Sequence, residues 1–139
     1  EEAVLSHQNE LPRADFTDAR MDKCCLRTTR LTSARFERAR MTMADLSECD
    51  ATHAAFDQAV LLQALLIRTQ LRGASLRGVN LTDALLSKSR LDGADFTGAQ
   101  LSRADFTRAR GDDKTRFTEA VVHFTRFDKQ SGRKADGAS

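Results

Sequence analysis

Every fifth residue from Leu11 falls on an apolar position. The series runs Leu11, Phe16, Met21, Leu26, Leu31, Phe36, Met41, Leu46, Ala51, Phe56, Leu61, Leu66, Leu71, Leu76, Leu81, Leu86, Leu91, Phe96, Leu101, Phe106. Ala51 alone among them is small. Two residues before each centre sits a small side chain, as in Ala14, Ala19, Cys24, Thr29, Ala34 and so on to Ala104; Asn9 is the one polar amide there and Val79 the largest of the rest. A period of five matches neither the 3.6 residues of a helix nor the two of a flat strand. It demands a backbone that turns once per repeat, with two residues inward and three outward. One large and one small inward residue per turn describes a narrow tube with a filled axis.

Four such turns close a coil of twenty residues, and residue types recur at that spacing. Phe16, Phe36, Phe56 and Phe96 form one column, interrupted by Leu76 and resumed by Phe117. Met21, Met41, Leu61, Leu81 and Leu101 form a second; Thr29, Cys49, Thr69 and Ser89 form a small, polar inner one. Stacked coils of this kind pair like neighbouring parallel strands, ~4.8 Å apart. The fold class predicted is all-β: a four-sided β-solenoid of about six coils, on the order of 30 Å long.

The register slips once, at Gly111-Asp112-Asp113-Lys114-Thr115-Arg116, which holds one extra residue and reads as a bulge or short loop. The pattern resumes with Phe117, Val122 and Phe127. The repeat body is therefore assigned to 9–129, residues 1–8 to an N-terminal cap, and 130–139 to a flexible tail or linker. The chain starts Glu-Glu, which reads as a processed protein or a piece of a longer one.

The units Ala14-Asp15-Phe16-Thr17-Asp18, Ala44-Asp45-Leu46-Ser47-Glu48, Ala94-Asp95-Phe96-Thr97-Gly98 and Ala104-Asp105-Phe106-Thr107-Arg108 resemble those of the pentapeptide-repeat family. The resemblance implies a right-handed quadrilateral β-helix. It leaves function open, because that family includes topoisomerase-protecting DNA mimics, bacterial effector domains and secretion-associated proteins, and one fold hosts many activities.

Composition narrows the choice. Twenty-two Lys and Arg against twenty Asp and Glu leave a net charge of +2, which disfavours an acidic DNA mimic. No apolar run approaches the ~18 residues of a membrane span, and no secretory signal is present. Three cysteines, Cys24, Cys25 and Cys49, do not make a disulfide frame or a paired zinc motif. A reducing compartment, the bacterial cytoplasm, is the expected location, with secretion as part of a larger protein left open.

The repeat offers no convergent pocket for catalysis, so no catalytic residue, cofactor, metal or small-molecule substrate is expected. His7 falls in the cap, while His53 and His123 point outward on opposite faces. Cys24 and Cys49 read as inward filler and Cys25 as an outward thiol. Gly73, Gly78, Gly93 and Gly98 occupy the third outward position, where a turn accepts positive φ.

Two outward clusters depart from a solvated mixture. Val60, Leu62, Leu65 and Ile67 lie on two adjacent faces of the third coil, with Leu85 above Leu65 and Met43 one coil below. Such a patch marks a protein contact or self-association, or else a terminal segment folded back over it. Arg68, Lys88, Arg108 and Lys129 share one corner, flanked by Arg90 and Arg110. Either Asp92, Asp112 and Asp113 neutralise this column, or an anionic partner does. With no aromatic residues beside it, sequence-specific nucleic-acid binding is disfavoured. The expected role is a non-enzymatic interaction module or scaffold, a domain of a secreted effector or secretion-machinery adaptor. The alternative, regulation of DNA gyrase by DNA mimicry, is disfavoured by charge.

Overall fold

The computed structural model describes residues 10–128, and along them the chain turns four corners per coil. Bridges join each coil to the next in parallel at a spacing of twenty residues, from Glu10 with Arg30 and Asp15 with Arg35 through to Arg90 with Arg110. In the last two coils they widen into short strands, β1 (Asp105–Phe106) and β2 (Arg126–Phe127), paired in parallel. The expected cap at 1–8 and tail at 130–139, with His7 and Lys129, lie outside the described residues.

In the stacked coils each regular repeat ties four of its five backbone N–H groups to neighbouring coils or to its own turn. At Phe36 the centre donates up to Ala55 O (2.7 Å), and Arg35 N donates down to Ala14 O (2.8 Å). The corner residue Arg38 donates up to Asp57 O (2.9 Å), and Ala39 N closes the turn on Phe36 O (3.0 Å). Where Asp or Asn stands just before the centre, its side chain takes the fifth N–H, just after the centre. Thr17 N donates to Asp15 Oδ1 (3.0 Å), Ser47 N to Asp45 (3.0 Å), Thr82 N to Asn80 (3.1 Å), Thr97 N to Asp95 (2.9 Å) and Thr107 N to Asp105 (2.8 Å). This is the physical role of the acid in the Ala-Asp-Phe-Thr units: a local side-chain acceptor for an otherwise unpaired donor.

The interior is filled as the pattern requires. Phe36, Phe56 and Phe96 are fully buried beside Leu31, Met41 and Leu46, and the small wall residues Ala34, Ala39 and Ala44 are equally sealed. Phe16, Phe36 and Phe56 stack in one file, with centroids 5.1 and 4.8 Å apart and interplanar angles of 12° and 3°. Leu76 interrupts the file, which resumes at Phe96 on Phe117, 5.0 Å and 3°. At the last coil Phe106 stacks on Phe127 at 5.3 Å. In the polar inner column, Cys49 Sγ donates to Leu26 O (2.6 Å), Thr69 Oγ1 to Leu46 O (2.8 Å) and Ser89 Oγ to Leu86 O (2.6 Å). A buried hydroxyl or thiol is tolerated there because the turn carbonyls have a free lone pair.

Every corner outside the 111–116 insertion sits in the left-handed region. The third outward residue has φ between 57° and 70°, at Gly73, Gly78, Gly93 and Gly98 and equally at Arg38, Met43, Arg68 and Lys88. Glycine at these corners is thus a preference, and at Gly73 a second constraint adds to it. A Cβ there would lie 2.5 Å from His53 Nδ1, whereas one at Gly98 would meet nothing within 4 Å.

The insertion is absorbed on one face. Spacing becomes twenty-one residues from Asp95 with Arg116 onward. Asp112 takes the turn's first position, its carbonyl receiving Thr115 N at 3.1 Å. Its Oδ1 accepts Gly93 N (3.0 Å) and Lys114 N (3.0 Å), standing where a backbone carbonyl serves the other coils. The added residue is therefore sealed by a carboxylate, and the stack continues.

Two outcomes follow from this geometry. Gly98→Ala is expected to cost about 1 kcal/mol for its left-handed φ alone. Gly73→Ala costs more in the same denaturant titration, and His53→Ala in the Gly73→Ala background brings it down to the Gly98→Ala level. The Gly93 amide, first among its hydrogen bonds, holds the Asp112 carboxyl below its ordinary value of 3.8. A lowered folded-state value gives stability that is present above that value and lost as pH falls through the lower, folded one. Asp112→Asn should therefore flatten the decline in melting temperature below about pH 4.

Candidate functional site

The outward surface divides into faces whose side chains are mostly polar, and the two clusters singled out above stand next to each other on it. The face carrying Leu46, Leu66 and Leu86 at its centres is bounded by two corners. At one lie Met43 and Gln63; at the other lie Arg68, Lys88 and Arg108.

The apolar cluster wraps the first of these corners. Leu65 bridges directly to Leu85, and Val60 lies between Arg40 and Asn80. Met43 N donates to Leu62 O (2.8 Å), tying the corner of the second coil to the third. Met43 and Leu85 are 49% and 38% exposed, while Val60, Leu62, Leu65 and Ile67 are half-buried, each shielded by the coils above and below. All six therefore lie on the outside, and only the first two stand proud of it.

Several cations elsewhere are paired. Arg38 grips Asp18 one coil below with two bonds (2.8 and 3.1 Å), and Arg103 grips Asp83 in the same way (2.7 and 3.0 Å). Arg27 meets Glu48 at 2.9 Å, and Arg77 meets Asp95 at 3.0 Å. Arg90, expected to flank the basic column, is instead turned onto Asp92 at 3.3 Å. Asp112 is occupied by the insertion. Arg68, Lys88 and Arg108 are exposed, fall in one column, and make no ion pair among the described residues; exposed Arg110 makes none either. Of the three acids considered for this column, Asp92 serves Arg90, Asp112 serves the backbone and Asp113 makes no ion pair among the described residues, so the three corner charges are left facing solvent.

The other candidates are placed as filler or surface. Burial pushes the Cys24 thiol up to about 11 and the Cys49 thiol up to about 12, so neither forms a thiolate near neutral pH. Cys25 is half-exposed and bridges Asp45. His53 leans over Gly73, and His123 lies three coils away on the opposite face. Among the described residues no group of three or more His, Cys, Asp or Glu could hold a metal ion, and no helix is long and apolar enough to cross a membrane.

One exposed residue escaped the reading of the sequence. Phe124 is 85% exposed at the corner of the last coil, with φ 57°. The shifted register signals it: with Val122 as centre, residue 124 becomes the third outward position.

The chain matches the family described as Pentapeptide repeats, in eight copies over residues 10–50, 44–83 and 74–110. It belongs to the pentapeptide-repeat family, whose fold is the right-handed quadrilateral β-helix. Among solved structures it is similar to the pentapeptide repeat protein Rfr23 of the cyanobacterium Cyanothece 51142. That match has a TM-score of 0.56 at 20% identity, covering 91% of this chain and 88% of the other. It is also similar to a pentapeptide repeat protein from the Arabidopsis thaliana thylakoid lumen (AT2G44920). There the TM-score is 0.57 at 25% identity, over 76% of this chain and 70% of that one. No curated protein matches the chain. Proteins of this family are in general non-enzymatic structural or interaction modules.

Three like charges at strand spacing repel one another, and salt screens that repulsion. Lys88→Glu, which interleaves an acid between Arg68 and Arg108, is expected to raise the melting temperature at low salt. It should also remove the rise that added salt produces in the parent chain, which thermal melts at two ionic strengths would measure.

Proposed function

We propose that this chain is a non-enzymatic interaction module, a stiff rod that offers an apolar patch edged by cations to a protein partner. The observation that supports it is the patch of Met43, Val60, Leu62, Leu65, Ile67 and Leu85, contiguous across two faces of an otherwise polar surface. The repeat does not require these residues, since the core positions beside them are already filled by Leu61 and Leu66. Contiguous exposed apolar area with a polar rim is the usual signature of a protein contact. Service as a domain of a secreted bacterial effector, or of an adaptor for secretion machinery, is the setting this reading favours.

The roles of the aspartates weigh against DNA mimicry. Asp15, Asp45, Asp95 and Asp105 each point an oxygen back at their own turn, and Arg35, Arg27 and Arg77 stand beside three of them. Carboxylates spent in this way do not present a phosphate-like row. A DNA gyrase supercoiling assay is expected to show neither inhibition nor protection at stoichiometric protein, and either effect would reverse the ranking.

The interface is tested with Leu62→Asp plus Ile67→Asp. Both side chains point outward, so the variant keeps its fold by circular dichroism and melting. Loss of the partner recovered by pull-down, or of self-association in sedimentation, is the expected result. Unchanged association by a folded variant rejects the patch as the contact.

A further inference from the structure

The face between the apolar corner and the basic corner has a shape and charge pattern that restrict what can dock there. Its backbone is tied coil to coil: Glu48, Leu66, Arg68 and Lys88 donate their N–H groups to Ile67, Leu85, Ser87 and Thr107 in the next coil, at 2.7–3.0 Å. Asp45 and Asp105 take the outward N–H groups of Ser47 and Thr107, and those of Ile67 and Ser87 are left without the alternating acceptors of a sheet edge, so a partner cannot add a strand. Recognition must come from side chains alone.

Those side chains are arranged in rungs. Arg68, Lys88 and Arg108 repeat at the coil spacing, ~4.8 Å, so the three span about 9.6 Å. An α-helix offers one residue per turn on a given stripe every ~5.4 Å, about 10.8 Å over two turns. An extended segment offers same-side residues every ~6.7 Å, about 13.4 Å over two steps. The helical repeat departs from the cation repeat by about 1 Å over the column, within the reach of flexible Arg and Lys stems, whereas the strand departs by about 4 Å. One five-residue side of the coil is also comparable to the ~10 Å diameter of a helix. Laid across the rod, a helix would meet one cation and overhang both corners; laid along it, the helix meets all three and the Leu65–Leu85 pair beside them.

We infer that this face receives an acidic amphipathic α-helix of a partner protein, running along the solenoid axis. It sets one carboxylate per turn against Arg68, Lys88 and Arg108, and an adjacent apolar stripe on Leu65, Ile67 and Leu85. The charges are free to engage it, since none of the three is in an ion pair among the described residues. This rests on the interface reading above and adds the partner's chemistry, conformation and direction.

The probe is a synthetic 18-residue helix with Glu at one position per turn and Leu on the neighbouring stripe, titrated into the isotope-labelled chain by amide-resolved NMR. Expected are shifts confined to residues 62–68, 85–90 and 105–110, and affinity that falls as salt rises. Lys88→Glu is expected to weaken binding about tenfold or more. Three controls oppose the inference: the same peptide with Lys for Glu, the same composition with two central prolines, and a double-stranded DNA oligonucleotide. Equal or tighter binding of any of them at this face, no binding of the acidic helix, or shifts centred on Phe124 would overturn it. Should Leu62→Asp plus Ile67→Asp abolish partner pull-down while the acidic helix shows no preference, the interface reading stands and this inference alone falls.

Discussion

The inter-coil hydrogen-bond ladder is the constraint from which the rest of this molecule follows. A centre N–H that donates to the next coil, as Phe36 does to Ala55, and a preceding N–H that donates to the coil below, as Arg35 does to Ala14, can both be met only if coils superpose. Superposition requires twenty residues per coil and one sharp corner every five. Outside the insertion the corner forces a left-handed residue at each third outward position, and the ladder holds arginine, lysine, glutamine and phenylalanine there as readily as glycine. The unfavourable backbone is local, while the bonds that enforce it come from two neighbouring coils.

The same closure explains why the interior cannot carry chemistry and the surface can carry recognition. A tube narrow enough for stacked phenylalanine rings leaves no space for a substrate, and its inward polar groups, Cys49, Thr69 and Ser89, are spent on turn carbonyls. Outside, each position repeats one coil higher, so any residue type chosen twice becomes a ladder. Opposite charges chosen in this way lock together, as in Asp18 with Arg38 and Asp83 with Arg103. Like charges, as in Arg68, Lys88 and Arg108, make a row whose members repel one another. The apolar residues beside that row turn a charge pattern into a surface with two distinct edges.

Much of this was legible in the residues alone, and the limits have physical causes. The period of five, the phenylalanine file broken at Leu76 and the slip near Gly111 are properties of spacing, and spacing survives in a one-dimensional string. The direct neighbours Leu65 and Leu85 were readable for the same reason. Pairing was not: Asp92 stood among three acids beside the basic column, and only rotamers in the folded coil turn it onto Arg90. The service of Asp15, Asp45 and Asp95 to their own turns was hidden as well, since a sequence shows an acid and not the amide it satisfies.

By itself the sequence determined the four-sided coil, its filled axis and the columns that face solvent, because a pentad of one large and one small inward residue has few other ways to bury itself. Tertiary structure alone decided which of those solvent-facing groups remain available. Asp112 seals the insertion, Arg90 is neutralised, Val60 and Leu62 are half-covered, and Phe124 stands free at the last corner. Availability is settled by contacts between coils twenty residues apart, and these exist only once the chain has wound.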